Sequence, residues 1–219
     1  MTRRNAVVLS RNEAVRYDQH CMRDLGIAGI ALMERAARGC AELALAMAAT
    51  GQVVVACGPG QNGGDGYAIA RMLHEAGRAV TVVALGEPRA GTDAAAMRAR
   101  LAGVPVLPFA RGLEVGRPAL VVDALFGTGL DRRLEGDALD AVRWINALAA
   151  PVLSVDLPSG LDCDLGVPLH ECVRAAVTAT MVAPKRGFAR AAEWTGRVEV
   201  VPIGGPDPAE WMRASGLRG

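Results

Sequence analysis

Three glycine-containing segments of the sequence each follow an apolar run and carry side chains that could do chemistry. The segments are GPGQNGGDG at 58–66, DALFGTGLDRR at 123–133 and DLPSGLDCD at 156–164. Their oxygen-bearing side chains include Asn62, Asp65, Asp123, Asp156 and Ser159. In an open parallel sheet, ligands bind outside the carboxyl ends of the strands, where the chain leads into helices. We therefore expect these side chains to lie at one edge of a sheet.

The first segment contains a G-x-G-x-x-G pattern, formed by Gly58, Gly60 and Gly63. A conventional dinucleotide fingerprint also has an acidic residue about twenty positions later, at the end of the next strand. Glu87 stands too late for that role, and no G-K-[ST] sequence makes the segment a P-loop. Helix N-termini still offer backbone N–H groups to phosphate oxygens. The segment thus predicts a phosphate-bearing ligand but not an ordinary NAD-linked oxidoreductase, and a purely structural turn is the alternative.

Asn62, Asp123 and Ser159 offer oxygen atoms of different charge. Oxygen-only coordination suits a hard cation. Neutral oxygens with few carboxylates favour potassium over a divalent ion, which usually gathers several carboxylates. The alternative is that Asp123 only caps its own loop, and the sequence leaves both interpretations open.

Asp156 is the strongest candidate for acid–base work. It leaves the apolar run PVLSV and enters a Pro-Ser-Gly turn, where partial burial would raise the pKa of a carboxyl group towards neutrality. The alternative is a turn carboxylate that bonds only to its own backbone. Lys185 follows a late strand and either supports an anion or is an ordinary solvated lysine. Arg132 and Arg133 likewise either support an anion or are ordinary solvated arginines.

The elements that position these residues follow from the hydrophobic pattern. Helices are predicted over 11–24 and 27–48, and strands and helices then alternate, with a helix over 66–77 after the first glycine segment. Several strands are continuous apolar runs, which is typical of strands covered on both faces. The pattern predicts an α/β protein, a three-layer α/β/α sandwich with a mostly parallel, Rossmann-like sheet and two leading N-terminal helices. We expect one domain over 1–219, with a core at about 8–203 and a frayed or partner-packing tail at 204–219.

The composition excludes several classes of partner. The chain has 24 Lys and Arg against 23 Asp and Glu, a net charge of +1, so no global field attracts nucleic acid or an anionic membrane. Neither a secretory signal nor an apolar stretch of membrane-spanning length stands out. Five cysteines without a C-x-x-C pair argue against a disulfide framework and a zinc site. We predict a cytoplasmic protein that binds neither nucleic acid nor membrane.

Four blocks of the sequence resemble, in order, motifs of the NAD(P)H-hydrate epimerase family, also called the YjeF N-terminal domain. The blocks are VVVACGPGQNGGDGYAIARML, LVVDALFGTGLDRRLEG, VLSVDLPSGLDCDLG and TATMVAPKRGF. The segment LSRNEAVRYDQHCMRDLGIAGIALMERAARGCAELA resembles the two leading helices of that family, so the similarity runs from about residue 8 to 203. It implies an isomerase that interconverts the R and S epimers of hydrated NADH or NADPH, so that a separate ADP- or ATP-dependent dehydratase can restore the cofactor.

The resemblance also implies roles for particular residues. The implied substrate-binding residues are Gln61, Asn62, Gly63, Gly64, Asp65, Gly127, Thr128, Gly129, Leu130, Asp131, Arg132, Arg133 and Asp156. The implied potassium ligands are Asn62, Asp123 and Ser159. As a hypothesis for catalysis, Asp156 moves the proton, and Lys185 or backbone donors stabilise the charge that develops on the substrate. A homodimer is implied as well.

Three positions depart from the family pattern, one of them Cys163 in place of a small alanine. Gln61 stands where the family usually has Asn, and Arg186 follows Lys185 where the family commonly has Pro-Gly. The main alternative function is a noncatalytic nucleotide- or partner-binding module of the same fold. Such relatives tend to lose polar residues of the substrate loops, whereas Asn62, Asp123 and Asp156 are all present here. The retained residues favour an enzyme.

Overall fold

Seven parallel strands form a single sheet in a computed structural model that describes residues 7–217. The strands are β1 Val53–Cys57, β2 Val80–Ala84, β3 Val106–Pro108, β4 Leu120–Ala124, β5 Val152–Val155, β6 Val177–Met181 and β7 Arg197–Val201. Their order across the sheet is β3-β2-β1-β4-β5-β6-β7. The order reverses between β1 and β4, and such a switch point opens a crevice at the carboxyl ends of the strands.

Helices cover both faces of the sheet. They are α1 Arg11–Arg23, α2 Gly29–Met47, α3 Gln61–Glu75, α4 Asp93–Ala99, α5 Gly136–Ala147, α6 Ala192–Thr195 and α7 Pro208–Ala214, with a 3₁₀ turn at Arg186–Arg190. The α2 and α3 helices pack on one face around Cys40 and Tyr67, and α5 packs on the other through Val142 and Ile145. Every residue of β1 and β4 is therefore buried. The predicted three-layer, mostly parallel architecture is confirmed.

Only residues 58–60 of the first glycine segment form a loop, and the rest is helical, which corrects the predicted helix start at residue 66. Helix α3 begins at Gln61, directly after Gly60. Glycine disfavours helix in isolation, but here its missing side chain is required: a Cβ at Gly63 would lie 1.8 Å from the carbonyl oxygen of Gly58. This close approach brings the first turn of α3, including Asn62 and Asp65, to the end of β1.

The tail beyond residue 203 is not frayed over 208–214, which corrects that part of the prediction. Helix α7 begins with an Asp207 cap and buries Trp211 and Met212 against the chain's own leading helix. The Tyr17 hydroxyl of α1 donates to the carbonyl oxygen of Pro206 at 2.6 Å. The last two residues of the tail lie outside the described residues. So do the first six residues of the chain, which belong to the region in which a secretory signal was looked for.

Two further features bear on the sequence expectations. All five cysteines are buried and have free thiols, and Cys40 and Cys57 lie in the main core as expected for small apolar residues. Across residues 7–217, no helix combines the length and apolar character that crossing a membrane requires.

Candidate functional site

The carboxyl ends of β1, β4 and β5 open into a cavity of about 600 Å³. Helices α1 and α2 close one side of it through Tyr17 and Met33. The sequence-predicted residues that line the cavity are Gln61, Asn62, Asp65, Gly127, Thr128, Gly129, Leu130, Asp131, Arg132, Asp156 and Lys185. Those that do not line it are Gly63, Gly64, Asp123, Arg133 and Ser159. The three segments therefore meet at one edge of the sheet, but part of the predicted set lies behind the cavity wall.

Asp156 lies in a strained turn at the end of β5. Its φ is 68°, a left-handed conformation that aspartate tolerates better than most residues. The backbone N–H of Leu157 donates to the carbonyl oxygen of Val155 at 2.9 Å, so the chain reverses within three residues. Strain of this kind is usually kept at functional positions. The turn directs the Asp156 carboxylate into the cavity.

The Asp156 carboxylate is held at both oxygens. Its Oδ1 lies 2.9 Å from Nζ of Lys185, and its Oδ2 accepts the backbone N–H of Thr128 at 3.2 Å. Only 14% of the Asp156 side chain is exposed. These contacts fix the orientation of the carboxylate, as a catalytic acid or base requires.

Lys185 is not the solvated surface lysine that the sequence left open, because only 2% of its side chain is exposed. Besides Asp156, its ammonium group has further acceptors: Thr180 Oγ1 at 2.8 Å, Met181 O at 3.1 Å and Ala183 O at 3.3 Å. An ammonium group has three N–H donors, so protein acceptors can use all of them. The geometry makes Lys185 a positioning residue for Asp156.

The main chain around Lys185 is tied to the N-terminal region. The N–H of Leu9 donates to Pro184 O at 2.9 Å, and the N–H of Arg186 donates to Leu9 O at 2.9 Å. Arg186, which departs from the family pattern, extends outward with its side chain 56% exposed and 3.5 Å from Glu13. Its backbone preserves the pairing with Leu9, and Lys185 remains directed inward.

Asp123 lies behind the cavity wall and is fully buried. It accepts hydrogen bonds from Ser159 Oγ at 2.6 Å, Ser159 N at 2.9 Å, Ser154 Oγ at 2.8 Å and Leu125 N at 3.3 Å. Burial raises the pKa of the Asp123 carboxyl group, and the bonds from Ser159 and Ser154 oppose the rise. Asp123 therefore organises the turns after β4 and β5, as the capping interpretation expected.

Asn62 connects this buried group with the cavity. It is 9% exposed, and its Nδ2 has no hydrogen-bond partner within residues 7–217. A Cβ at Gly127 would lie 3.3 Å from Asn62 Oδ1 and 3.2 Å from Asp156 Oδ2, so glycine lets the two side chains share one corner. The Ser159 hydroxyl, which binds Asp123, also accepts the N–H of Phe126 at 2.9 Å, one residue before Gly127.

The donor set fits a monovalent cation better than a divalent one. In the described part of the chain, no group of three or more His, Cys, Asp or Glu side chains could hold a metal ion. Asn62, Asp123 and Ser159 instead offer an amide, a single carboxylate and a hydroxyl oxygen. Oxygen donors with so little negative charge suit potassium.

Asp18 is a cavity residue that sequence reasoning missed. It lies on α1 between Val15 and Met22, which also line the cavity and are each 41% exposed. Asp18 keeps an exposed side chain at the cavity rim. Desolvation by the surrounding protein raises its pKa to about 6, the nearby Asp156 adds to the rise, and Lys185 opposes it. The available signal was an aspartate on the same helical face as Val15 and Met22.

Asp65 faces the same cavity from α3. Burial raises the pKa of its carboxyl group well above the usual range, and Asp156 and Asp18 raise it further. A group that binds a proton more tightly when folded makes the folded state less stable as the pH rises above its unfolded pKa. The Asp65 carboxyl group therefore makes the stability of the folded state decrease as the pH rises.

We expect Asp65→Asn to stabilise the fold at pH 8 more than at pH 5, because asparagine cannot ionise. The measurement is the Tm of both proteins at the two pH values. Asp137→Asn, on the exposed start of α5, is the control and should give a small pH-independent decrease. If the Tm difference between Asp65→Asn and the wild type does not grow with pH, the raised pKa of the Asp65 carboxyl group is contradicted.

These features define a three-layer α/β/α protein with a ligand-binding cavity at the switch point of its parallel sheet. Residues 29–187 match the family described as YjeF-related protein N-terminus. The chain belongs to this family.

Relatives span most of the chain. It is 40% identical over 197 residues to a protein of Rhodopirellula baltica named NAD(P)H-hydrate epimerase, covering 86% of this chain and 81% of that one. It is 36% identical over 198 residues to a protein of the same name from Limosilactobacillus reuteri, covering 88% and 93%. A protein of Pyrobaculum aerophilum named bifunctional NAD(P)H-hydrate repair enzyme Nnr is 40% identical over 204 residues, covering 88% of this chain and 41% of that one.

A solved structure shares the architecture. The crystal structure of yeast ynu0, YNL200c, superimposes with a TM-score of 0.78 at 25% identity. The match covers 89% of this chain and 87% of the yeast chain.

Proposed function

We propose that this protein is an NAD(P)H-hydrate epimerase, an isomerase that interconverts the R and S epimers of hydrated NADH and NADPH. The observation that carries the proposal is the Asp156 carboxylate, fixed by Lys185 at 2.9 Å on the wall of a large cavity. The family and the names of its relatives support the reaction and the substrate class.

The cavity offers places for the phosphates of a dinucleotide. Helix α3 starts at Gln61 without any side-chain cap, so its first N–H groups are available to an anion, and the helix dipole favours negative charge there. Gln61 and Arg132 line the same cavity. We assign the pyrophosphate to this end of α3, with the cavity-lining segment 127–132 beside it.

The reaction needs reversible loss of one stereocentre. The hydrated carbon bears a hydroxyl group next to the ring nitrogen, so its handedness disappears when the hydroxyl leaves or when the ring opens. Either route requires a proton to move at the hydroxyl group. Loss of the hydroxyl group as water needs a proton delivered to its oxygen, whereas ring opening needs the hydroxyl proton removed. Asp156 is the group fixed to accept the proton in ring opening, and general acid–base catalysis of this kind contributes roughly 10²–10⁴-fold.

Potassium is the cofactor that the donor set fits. Asn62, Asp123 and Ser159 would hold the ion, and it would supply a fixed positive charge behind the corner that Asn62 and Asp156 share. Because these three residues come from α3 and from the turns after β4 and β5, holding the ion would also stabilise the shape of the cavity.

We expect the Tm to rise when KCl replaces tetramethylammonium chloride at equal ionic strength. A ligand that binds only the folded state stabilises it by about 2.7 kcal/mol at a concentration 100 times its Kd. Asn62→Ala should lose this response. Asn12→Ala, on the exposed surface of α1, should keep it. Identical Tm values for the wild type in both salts would contradict the potassium site.

The test of the proposed function uses an equilibrated pool of R and S hydrates and a dehydratase that consumes only the S epimer. We expect this protein to accelerate the disappearance of the R epimer. If the R epimer persists at the uncatalysed rate, the epimerase proposal is wrong. Binding of a dinucleotide without turnover would instead support the noncatalytic module.

The dehydratase that consumes the product is proposed as a functional partner. The bifunctional relatives extend well beyond the region that matches this chain, which spans 41% of the Pyrobaculum protein. Homodimer formation and cytoplasmic location stay predictions from the sequence.

A further inference from the structure

Four carboxyl groups line the cavity, but within residues 7–217 only one of them has a cationic partner. Besides Asp131 on the β4–α5 segment, three come from separate elements. Asp18 comes from α1, Asp65 from α3 and Asp156 from the turn after β5. Lys185 is paired with Asp156. Nδ2 of Asn62, buried and unpartnered within the described residues, lies in the wall of the same cavity. This unpartnered donor would be satisfied by an acceptor group of a ligand in the cavity.

Asp18 differs from Asp156 in how it is held. Within residues 7–217, its side chain has neither a hydrogen-bond donor nor a salt-bridge partner, and it is exposed to the cavity. The charged groups that face Asp18 across the cavity are Asp65 of α3, Asp156 and Lys185, with Asp131 and Arg132 on the β4–α5 segment. Like charges outnumber the cations nearby, which favours a proton on one carboxyl group.

The helix that carries Asp18 is rigidly placed. The Ser10 side chain and Glu13 form a reciprocal capping box at the start of α1. The preceding residue, Leu9, pairs with the chain on either side of Lys185. The contacts that place Lys185 against Asp156 thus also fix α1. The distance between Asp18 and the Asp156–Lys185 pair is set by the fold and not by a mobile segment.

We propose that Asp18 is the second catalytic residue of the epimerase, carrying the proton that Asp156 lacks. The inference rests on the proposed function. In the ring-opening route, the Asp156 carboxylate takes the hydroxyl proton as the C–O bond becomes a carbonyl and the bond from that carbon to the ring nitrogen breaks. The electron pair of that bond goes to the nitrogen, which takes a proton from the Asp18 carboxylic acid.

Rotation of the new aldehyde exposes its other face. The nitrogen then attacks the aldehyde carbon, returns its proton to Asp18, and the oxygen recovers its proton from Asp156. The cycle has no net proton change and needs no oxidant or reductant. It requires two carboxyl groups that share one proton, and the raised pKa of Asp18, about 6, matches that need.

Asp18→Asn tests this assignment in the coupled assay with the S-specific dehydratase. We expect kcat to fall by about 10²-fold with KM little changed, because the loss is confined to the transition state. The wild-type rate should decline as the pH rises through the pKa of Asp18, and this alkaline limb should be absent in the variant. Asp18→Glu should recover part of the rate.

The matched control is Asp24→Asn, which makes the same chemical change at the end of α1, where Asp24 pairs with His20 at 2.7 Å. It should retain the wild-type rate and pH profile. If Asp18→Asn does the same, the Asp18 assignment is overturned while the epimerase stands. A lower rate with an unchanged profile and a lower Tm would show a structural role and also overturn it. An inactive wild type would overturn both proposals.

Discussion

Replacing Asp156 by asparagine is expected to lower kcat for epimerisation by about 10³–10⁴-fold, the upper part of the range for general acid–base catalysis. Asparagine keeps the shape of the side chain but cannot accept the hydroxyl proton. It also tolerates the left-handed backbone at this position, where φ is 68°. Initial rates of R-hydrate consumption in the coupled assay measure the effect.

Asp140→Asn is the matched control for this experiment. Asp140 lies on α5, on the other face of the sheet, and forms a salt bridge with Arg111 at 2.6 Å. Surface pairs of this kind contribute about 0–1 kcal/mol, so we expect a wild-type rate. An Asp156→Asn protein that retains its fold and turns over within about tenfold of the wild type, far outside the range for acid–base catalysis, would remove Asp156 from its catalytic role.

The second large effect is on stability. Lys185→Met is expected to lower the free energy of unfolding by about 3–5 kcal/mol, because it removes one partner of a buried ion pair and leaves the Asp156 charge uncompensated. Methionine fills a similar volume, so the loss of charge is the main change. Urea denaturation with linear extrapolation measures the difference.

The double variant Asp156→Asn, Lys185→Met separates charge from packing. It should recover part of the lost stability, since no unpaired charge remains, but it should not recover activity. Arg186→Met is the control, because that neighbouring side chain is 56% exposed and lies 3.5 Å from Glu13. If Lys185→Met is no less stable than Arg186→Met, the pair does not hold the turn as described.

Much of the architecture follows from the hydrophobic pattern. Runs such as VVVAC and LVVDA are buried at every position in the structure, and continuous apolar strands require cover on both faces. The start of α3 could not be predicted in this way. Gly63 disfavours a helix locally, but the close contact with Gly58 that determines its conformation exists only after the sheet forms.

The candidate site was only partly predictable for the same reason. Asp156 and Asn62 follow strands, so their common edge could be inferred from topology. The burial of Lys185 depends on Thr180 and on the distant Leu9, neither of which its local sequence reveals. Asp18 reaches the cavity because α1 packs across the strand ends, a tertiary arrangement that the helical face it shares with Val15 and Met22 does not by itself reveal. Side chains placed by long-range packing are the ones that the sequence left undecided.

The most direct test follows purified R hydrate of NADH alone, without any coupling enzyme, by chromatographic separation of the two epimers. With the wild-type protein, we expect the S epimer to appear rapidly and approach the equilibrium mixture, and with Asp156→Asn at the same concentration to appear about 10³–10⁴-fold more slowly. Appearance of the S epimer at the uncatalysed rate with the wild type, or at equal catalysed rates with both proteins, would contradict the central claim that the Asp156 cavity interconverts hydrated dinucleotides.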